Sequence, residues 1–357
     1  MTKPGHRLYI HSLDGIRAMA VMLVFFGHAG FGGIIPSGFG VTVFFFLSGY
    51  LITTLLRLEF ENTGNISFHD FYIRRAYRIF PSFYLALITA LILAWTLDSE
   101  SGFGLITVLL QAIHLTNYYQ VLVGYNVIPD TSLFWSLAVE EHYYLFFPLV
   151  LLWVLKRQSL SRTALMFLMI CLVVLAWRYF LMLHVGVPAY HTNLATDTRI
   201  DSVLYGCILG VWMNPVLDPQ PNVDEYVLVL ILCLSVAILI GTFLYRDPVF
   251  RETLRYSLQG IALLPLFYLA ISRRHWRIFS LLNCKWIRAL GRVSYEFYLF
   301  HMMAMHLVAH VLERMGIDSY LLFISAGFLL TLGISMLINH LIGIPFAHKR
   351  RKLYHAT

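Results

Sequence analysis

Asp14, Arg17 and His28 lie inside an apolar run, Leu13 to Gly33, that is long enough to cross a bilayer. Ionisable groups are costly in hydrocarbon, so each reads as a functional candidate with a partner to be found. Arg17 and His28 are eleven residues apart, about three helical turns, so one continuous helix would put them on a single stripe roughly 16 Å apart. Asp14, three residues before Arg17, can neutralise it locally. The run thus offers a fixed cation near one end of a helix and, near the other, an imidazole that can take and return a proton.

Five other stretches carry groups able to do chemistry. Residues 71–82, FYIRRAYRIFPS, crowd Arg74, Arg75 and Arg78 onto a short basic helix that ends at Pro81, with Arg74 and Arg78 on one face. These arginines read either as a membrane anchor on the positive side or as an anion site, since guanidinium forks suit phosphate groups. Ser48, with Gly49 in the middle of an apolar run, fits close helix contact better than direct catalysis. Adjacent Glu140 and Glu141 within WSLAVEEHYYLFFP either touch water at the interface or act inside the membrane, where a carboxylate could orient a histidine or pair with an arginine.

Arg199 and Asp201 precede Gly206 and Gly210, a small-residue contact face; the charged pair reads as interfacial snorkellers or as functional groups. Ser294, Tyr298 and His301 fall at i, i+4 and i+7 on one stripe, where packing suits Tyr298 and the role of His301 stays open. Fifteen histidines raise the question of a metal, but apart from the loose spacing of His301, His306 and His310 they are dispersed, and no metal centre is expected.

The elements that must position these groups follow from composition. The chain has 357 residues, 59% hydrophobic and 13% charged, with mean hydropathy +0.71. That is an all-α, polytopic transmembrane helix bundle and not a soluble domain. The net charge of +7 comes mostly from short basic loops, which set orientation in a membrane and do not imply nucleic acid. The first apolar run lacks a following A-x-A-like cleavage site and reads as a retained span. Cys171, Cys207, Cys233 and Cys284 are scattered, so neither disulfides nor zinc are expected.

Spanning runs occur near 13–33, 38–57, 79–97, 134–155, 162–183, 199–216, 226–245, 254–272, 290–312 and 320–343. Residues 103–123 form an eleventh candidate weakened by Gln111, His114 and Asn117. Lys and Arg cluster at five places: the N-terminus (Lys3, Arg7), 57–78, 156–162, 273–288 and 349–352. Placing all five in the cytoplasm gives ten spans, both termini cytoplasmic, and 103–133 re-entrant or lying at the outer face. The acidic loop 218–225 is an exception to that charge rule. No repeat or second domain is visible, so residues 1–357 read as one integral-membrane domain.

These residues carry a resemblance. Arg17-x10-His28 in its LDGIRA…GH context resembles the signature of the acyltransferase 3 family of integral-membrane O-acyltransferases. The resemblance continues, in the family's order, through FFFLSGYLIT (44–53), FYIRRAYRIFP (71–81), WSLAVEEHYYL (135–145), TRIDSVLYGCILG (198–210) and GRVSYEFYLFH (291–301). It implies a ten-span core in the inner or plasma membrane that takes acetyl or another short acyl group from cytoplasmic acyl-CoA, acetyl-CoA foremost, with no permanently bound cofactor. The acceptor it implies is a hydroxyl of a glycan, a lipid-linked sugar or a metabolite. Ending at Thr357, the chain is similar to the stand-alone form, not to relatives with an extra span and a C-terminal esterase-like domain. Glu296 adds a charge to which no role is given.

The expected mechanism makes His28 the general base, with Arg74, Arg75 and Arg78 holding the CoA phosphates. Glu140 orients or tunes the imidazole, and Arg17 stabilises the thioester oxyanion or a pantetheine carbonyl. The competing reading is a transporter or flippase whose buried charged groups line a substrate path; against it, no pair of inverted, Gly/Pro-broken helices is found.

Overall fold

Backbone inside a bilayer has no water to bond, so long apolar runs must close their hydrogen bonds within helices. The computed structural model, described over residues 10–97, 102–124 and 127–347, is helical throughout, with no strand among the described residues. Helix α1 (His11–Phe26) passes into a π-helical turn, Gly27–Phe31, and is followed by α2 (Ser37–Thr63) and α3 (Phe68–Leu97). Two short helices, α4 (Leu105–Ala112) and α5 (Thr116–Val123), precede α6 (Trp135–Leu155) and α7 (Leu160–Phe180). Then come α8 (Ala189–Leu194), α9 (Thr196–Val211), α10 (Glu225–Leu244), α11 (Pro248–Glu252) and α12 (Leu254–Ser272). The chain continues through α13 (Arg277–Ser280), α14 (Lys285–Arg292), α15 (Ser294–Arg314) and α16 (Tyr320–Ile338).

Eight helical stretches, those of α1, α2, α3, α6, α7, α10, α12 and α16, are long and apolar enough to cross a membrane. The other two expected spans, 199–216 and 290–312, fall on α9 and α15. At 16 residues α9 is short, and α15, at 21, is made more polar by Glu296 and three histidines. Both are screened by neighbours: 13 of 16 residues of α9 and 12 of 21 of α15 are buried. A helix enclosed by protein does not have to be apolar enough to face lipid. Helix α10 is the opposite case, burying only the stripe Leu228, Leu232, Ser235, Leu239 and Thr242. The expected cytoplasmic termini, with Lys3, Arg7 and 349–352, lie outside the described residues.

Residues 103–123 do not form one helix. The chain turns at His114, whose φ of 59° is left-handed, and leaves two helices of eight residues, each about 12 Å long and too short to cross. The expected short basic helix before span three is instead continuous with it. Helix α3 runs 30 residues through Pro81, because a proline removes one backbone donor and a membrane helix tolerates that loss.

The centre of the bundle is the α2–α9 contact. A Cβ added to Gly206 would meet the Phe46 carbonyl, and one added to Gly49 would meet the Val203 carbonyl. The missing side chains let the two backbones touch, as the spacing of Gly206 and Gly210 predicts. The acidic-loop exception has a local cause: Asp218 pairs with Arg57 of α2 and accepts from the Asn214 amide at 2.7 Å. Asp224 and Glu225, at the start of α10, suit the positive end of a helix.

Candidate functional site

The start of α1 and the end of α14, just ahead of α15, meet at one end of the bundle, where a Cβ on Gly291 would strike the Asp14 carbonyl. Close packing there leaves a narrow cavity of about 80 Å³ between α1, α2, α3, α6 and α15. Its lining brings together Arg17, Ser48, Arg75, Arg78, Glu140, Glu141, Ser294 and Tyr298, eight of the residues singled out by sequence. Arg17 donates to Asp14 Oδ1 at 3.0 Å. Arg75 lies over the rings of Tyr144 and Phe71, 5.1 and 5.6 Å from their centres. Among the described residues neither Arg75 nor Arg78 makes an ion pair, so their forks remain available. Arg74 does not line the cavity; it pairs with Glu59 at 3.4 Å.

Glu140 is held from two sides. Ser48 donates to its Oε1 at 2.8 Å and Tyr144 to its Oε2 at 2.8 Å. The carboxylate is thereby fixed against α2, and its two oxygens are occupied by groups other than His28. Glu141 also faces the cavity and has no hydrogen-bond partner among the described residues. Ser48, expected as a packing residue, is a cavity-lining donor; the packing at that level falls to Gly49.

Along α15 the cavity touches Ser294, Tyr295 and Tyr298 and then ends. The closing layer is the ring of Tyr298 edge-on to Phe44, with centres 6.1 Å apart. The Tyr298 hydroxyl donates to the Leu133 carbonyl at 3.1 Å and shares a 2.7 Å hydrogen bond with Ser136. One turn further, wholly buried His301 meets His28, with its Nε2 at 2.8 Å from His28 Nδ1. Its own Nδ1 is 2.7 Å from the Tyr298 carbonyl oxygen.

His28 is exposed and sits in the turn where α1 kinks, one residue before Ala29 and Gly30 leave helical backbone geometry. Tyr320 of α16 fixes this turn by donating to the Ala29 carbonyl at 2.5 Å, against Gly30 at φ 103°. Arg246 donates to the Gly33 carbonyl at 3.0 Å just beyond it.

Two expectations change. His28 does not line the cavity with Arg17; about 16 Å of helix separates the two, so no reacting atom can bond both. The group facing His28 is His301, not Glu140.

Arg199 and Asp201 do not snorkel: both are completely buried. Nor do they pair with one another. Asp201 takes Arg178 Nη2 at 2.7 Å, while Arg178 also donates to Ser257 and to the Thr198 carbonyl. Arg199 donates to Thr42 at 2.9 Å and lies 3.9 Å from the Tyr256 ring centre, with Phe45 and Trp135 further off. Glu296 is buried in the first turn of α15 beside Ser82. Sequence reasoning missed Arg178, although a cation inside the run 162–183 carried the same signal that flagged Arg17. Nothing local marks Tyr320, whose partner is 291 residues away.

A family model described as an acyltransferase domain matches residues 10–340. The peptidoglycan O-acetyltransferase OatA of Listeria monocytogenes is 30% identical over 335 residues, 86% of this chain and 51% of that protein. A protein of Staphylococcus aureus strain COL, provisionally named an O-acetyltransferase, is 28% identical over 97% of this chain and 58% of its own length. The chain therefore spans little more than half the length of the curated relatives it matches. No solved structure matches it. With nearly every described residue inside the matched region, and each motif block placed in the bundle, the chain belongs to the acyltransferase 3 family.

Proposed function

We propose that the chain is a membrane O-acyltransferase that moves an acetyl or other short acyl group from acyl-CoA to a hydroxyl. The acceptor is a sugar, surface glycan or metabolite presented at the opposite membrane face. One observation carries the reading: a narrow cavity at one end of the bundle, with two guanidiniums that make no ion pair among the described residues, stops one helical turn short of a histidine pair whose outer member is exposed. Family membership and the O-acetyltransferase names of its relatives support it.

In this reading the arginine end faces the cytoplasm of a cell membrane. Arg75 and Arg78 hold the CoA phosphates through charged hydrogen bonds. Arg17, kept in place by Asp14, meets the pantetheine arm, and Ser48 and Tyr144 line its path. Arg74, committed to Glu59, steadies the start of α3. The thioester passes the Phe44–Tyr298 layer to reach His28. The acceptor oxygen then bonds the thioester carbon as its proton moves to His28 Nε2, the ring nitrogen not engaged by His301. The C–S bond breaks, and that proton leaves on the thiolate as the free thiol of CoA. A positioned base of this kind is worth on the order of 10²–10⁴ in rate.

The test is transfer of radiolabelled acetyl from acetyl-CoA by the full chain in lipid nanodiscs, with no ion gradient, to a panel of sugars and glycan fragments. Transfer by the wild type and its loss in His28→Ala is the expected result. Equal transfer by His28→Ala, or no thioester consumption with any acceptor, overturns the proposal.

A further inference from the structure

The contact between His28 and His301 has a direction, and a third atom sets it. A backbone carbonyl can only accept, so the 2.7 Å contact from His301 Nδ1 to the Tyr298 oxygen puts a proton on that Nδ1. In a neutral ring the other nitrogen, Nε2, then carries a lone pair. A charged ring is disfavoured at this position. His301 is 0% exposed, its flanking groups are the rings of Phe25 and Tyr298, and no carboxylate pairs with it among the described residues. The 2.8 Å contact can therefore be a hydrogen bond only if His28 donates through Nδ1.

The ring geometry agrees. The planes are within 15° and the centres 5.1 Å apart, so subtracting the 2.8 Å contact leaves little more than the two ring radii. The hydrogen bond thus runs along the line of centres, in the shared plane, where an imidazole lone pair points.

We infer that His301 is a positioning residue that locks His28 in the tautomer with its lone pair on the exposed Nε2, ready to accept a hydroxyl proton. The Tyr298 carbonyl sets His301, His301 sets His28, and His28 alone meets the substrate. When Nε2 takes the proton, Nδ1–H still donates to His301, and the hydrogen bond strengthens as the donor becomes charged. A neutral imidazole thereby does what a carboxylate does in a hydrolase triad, without placing a second buried charge beside the base. This inference rests on the acyl-transfer reading and deepens it.

Two measurements test it. In His301→Leu the acceptor is gone, and kcat for acetyl transfer should fall on the order of 10²–10⁴-fold while the acetyl-CoA KM stays within about threefold. His301→Gln, whose side-chain oxygen can take the place of Nε2, should keep at least about a tenth of the wild-type kcat. Wild-type kcat in His301→Leu, or a Gln variant as inactive as the Leu variant with unchanged melting, overturns the inference.

Should either variant fail to fold, the wild type suffices. Solid-state ¹⁵N spectra of histidine-labelled full chain in bilayers, with the His28 signals identified by their loss in His28→Ala, should show Nδ1 protonated and Nε2 bare. A predominant Nε2–H tautomer refutes the lock whether or not transfer is seen. Full activity in His28→Ala would instead sink the acyltransferase reading itself.

Discussion

Arginine is used in two ways in this bundle. In the cavity, Arg75 and Arg78 border open space and make no ion pair among the described residues. Around α9, Arg178 and Arg199 are wholly enclosed, the first tied through its two terminal nitrogens to Asp201, Ser257 and a carbonyl, the second boxed by Tyr256, Phe45 and Trp135. Burial against partners on neighbouring helices makes a guanidinium a cross-link between them. Partial exposure with the fork unspent makes it a receptor for an anion. The region that reacts should therefore lose rate without losing stability when it is altered, and the region that braces it should do the reverse.

The sharpest separation is expected at the two ends of that scale. His28→Ala should lower acetyl transfer by about 10²–10⁴-fold, with detergent melting temperature and membrane yield unchanged; a cold-labile, poorly inserted variant would place His28 in the scaffold. Arg178→Met strands the Asp201 carboxylate in the core and should cost about 3–5 kcal/mol of stability. It should be read as a fall in melting temperature and yield, with the surviving folded fraction transferring at the wild-type rate. Adding Asp201→Leu should recover much of the loss, and no recovery would mean that the pair is not the unit that matters.

Arg75→Gln and Arg78→Gln should each raise the acetyl-CoA KM by about 10–100-fold, the value of a charged hydrogen bond to phosphate. Arg74→Gln, which lacks access to the cavity, should change it by far less. Equal effects at all three positions would erase the distinction drawn within the cluster.

The smallest expected effect lies at Asp218, in the loop before α10. Burial pushes its carboxyl up, but hydrogen bonds from Arg57 and from the Asn214 amide outweigh that and hold it below the ordinary value. A depressed carboxylate stabilises the fold above its unfolded pKa of about 3.9, and that contribution fades as pH falls through the folded value. The melting temperature of wild type should therefore drop more steeply than that of Asp218→Asn below about pH 4. Parallel curves would mean that Asp218 contributes nothing to the coupling.

Much of this was legible beforehand, for reasons that differ from residue to residue. Asp14 and Arg17 pair because they are three apart on one helix, and that requires only local geometry. Gly206 and Gly210 announced a close contact because small residues four apart make a groove wherever a helix forms. Arg75 and Arg74 show where legibility stops. They are neighbours with the same side chain, and one lines the cavity while the other holds Glu59, a choice set by the rotation of α3 against α2. Arg199 and Asp201 stand two residues apart and face different helices, because two residues turn a helix by more than half a circle.

By itself the sequence determined the helical class, eight of the spans, the weakness of 103–123 as a further span and the blocks that mark the family. Each of these depends on local hydropathy, on turn chemistry or on residues adjacent along the chain. Only the tertiary structure decided that the cavity closes below His28, that Tyr320 fixes the turn bearing it, and that the nitrogen facing it belongs to His301, 273 residues away. Helices that are apolar nearly all round carry little record of which way they turn. Their rotation is settled when they pack, and the partners of each polar group are settled with it.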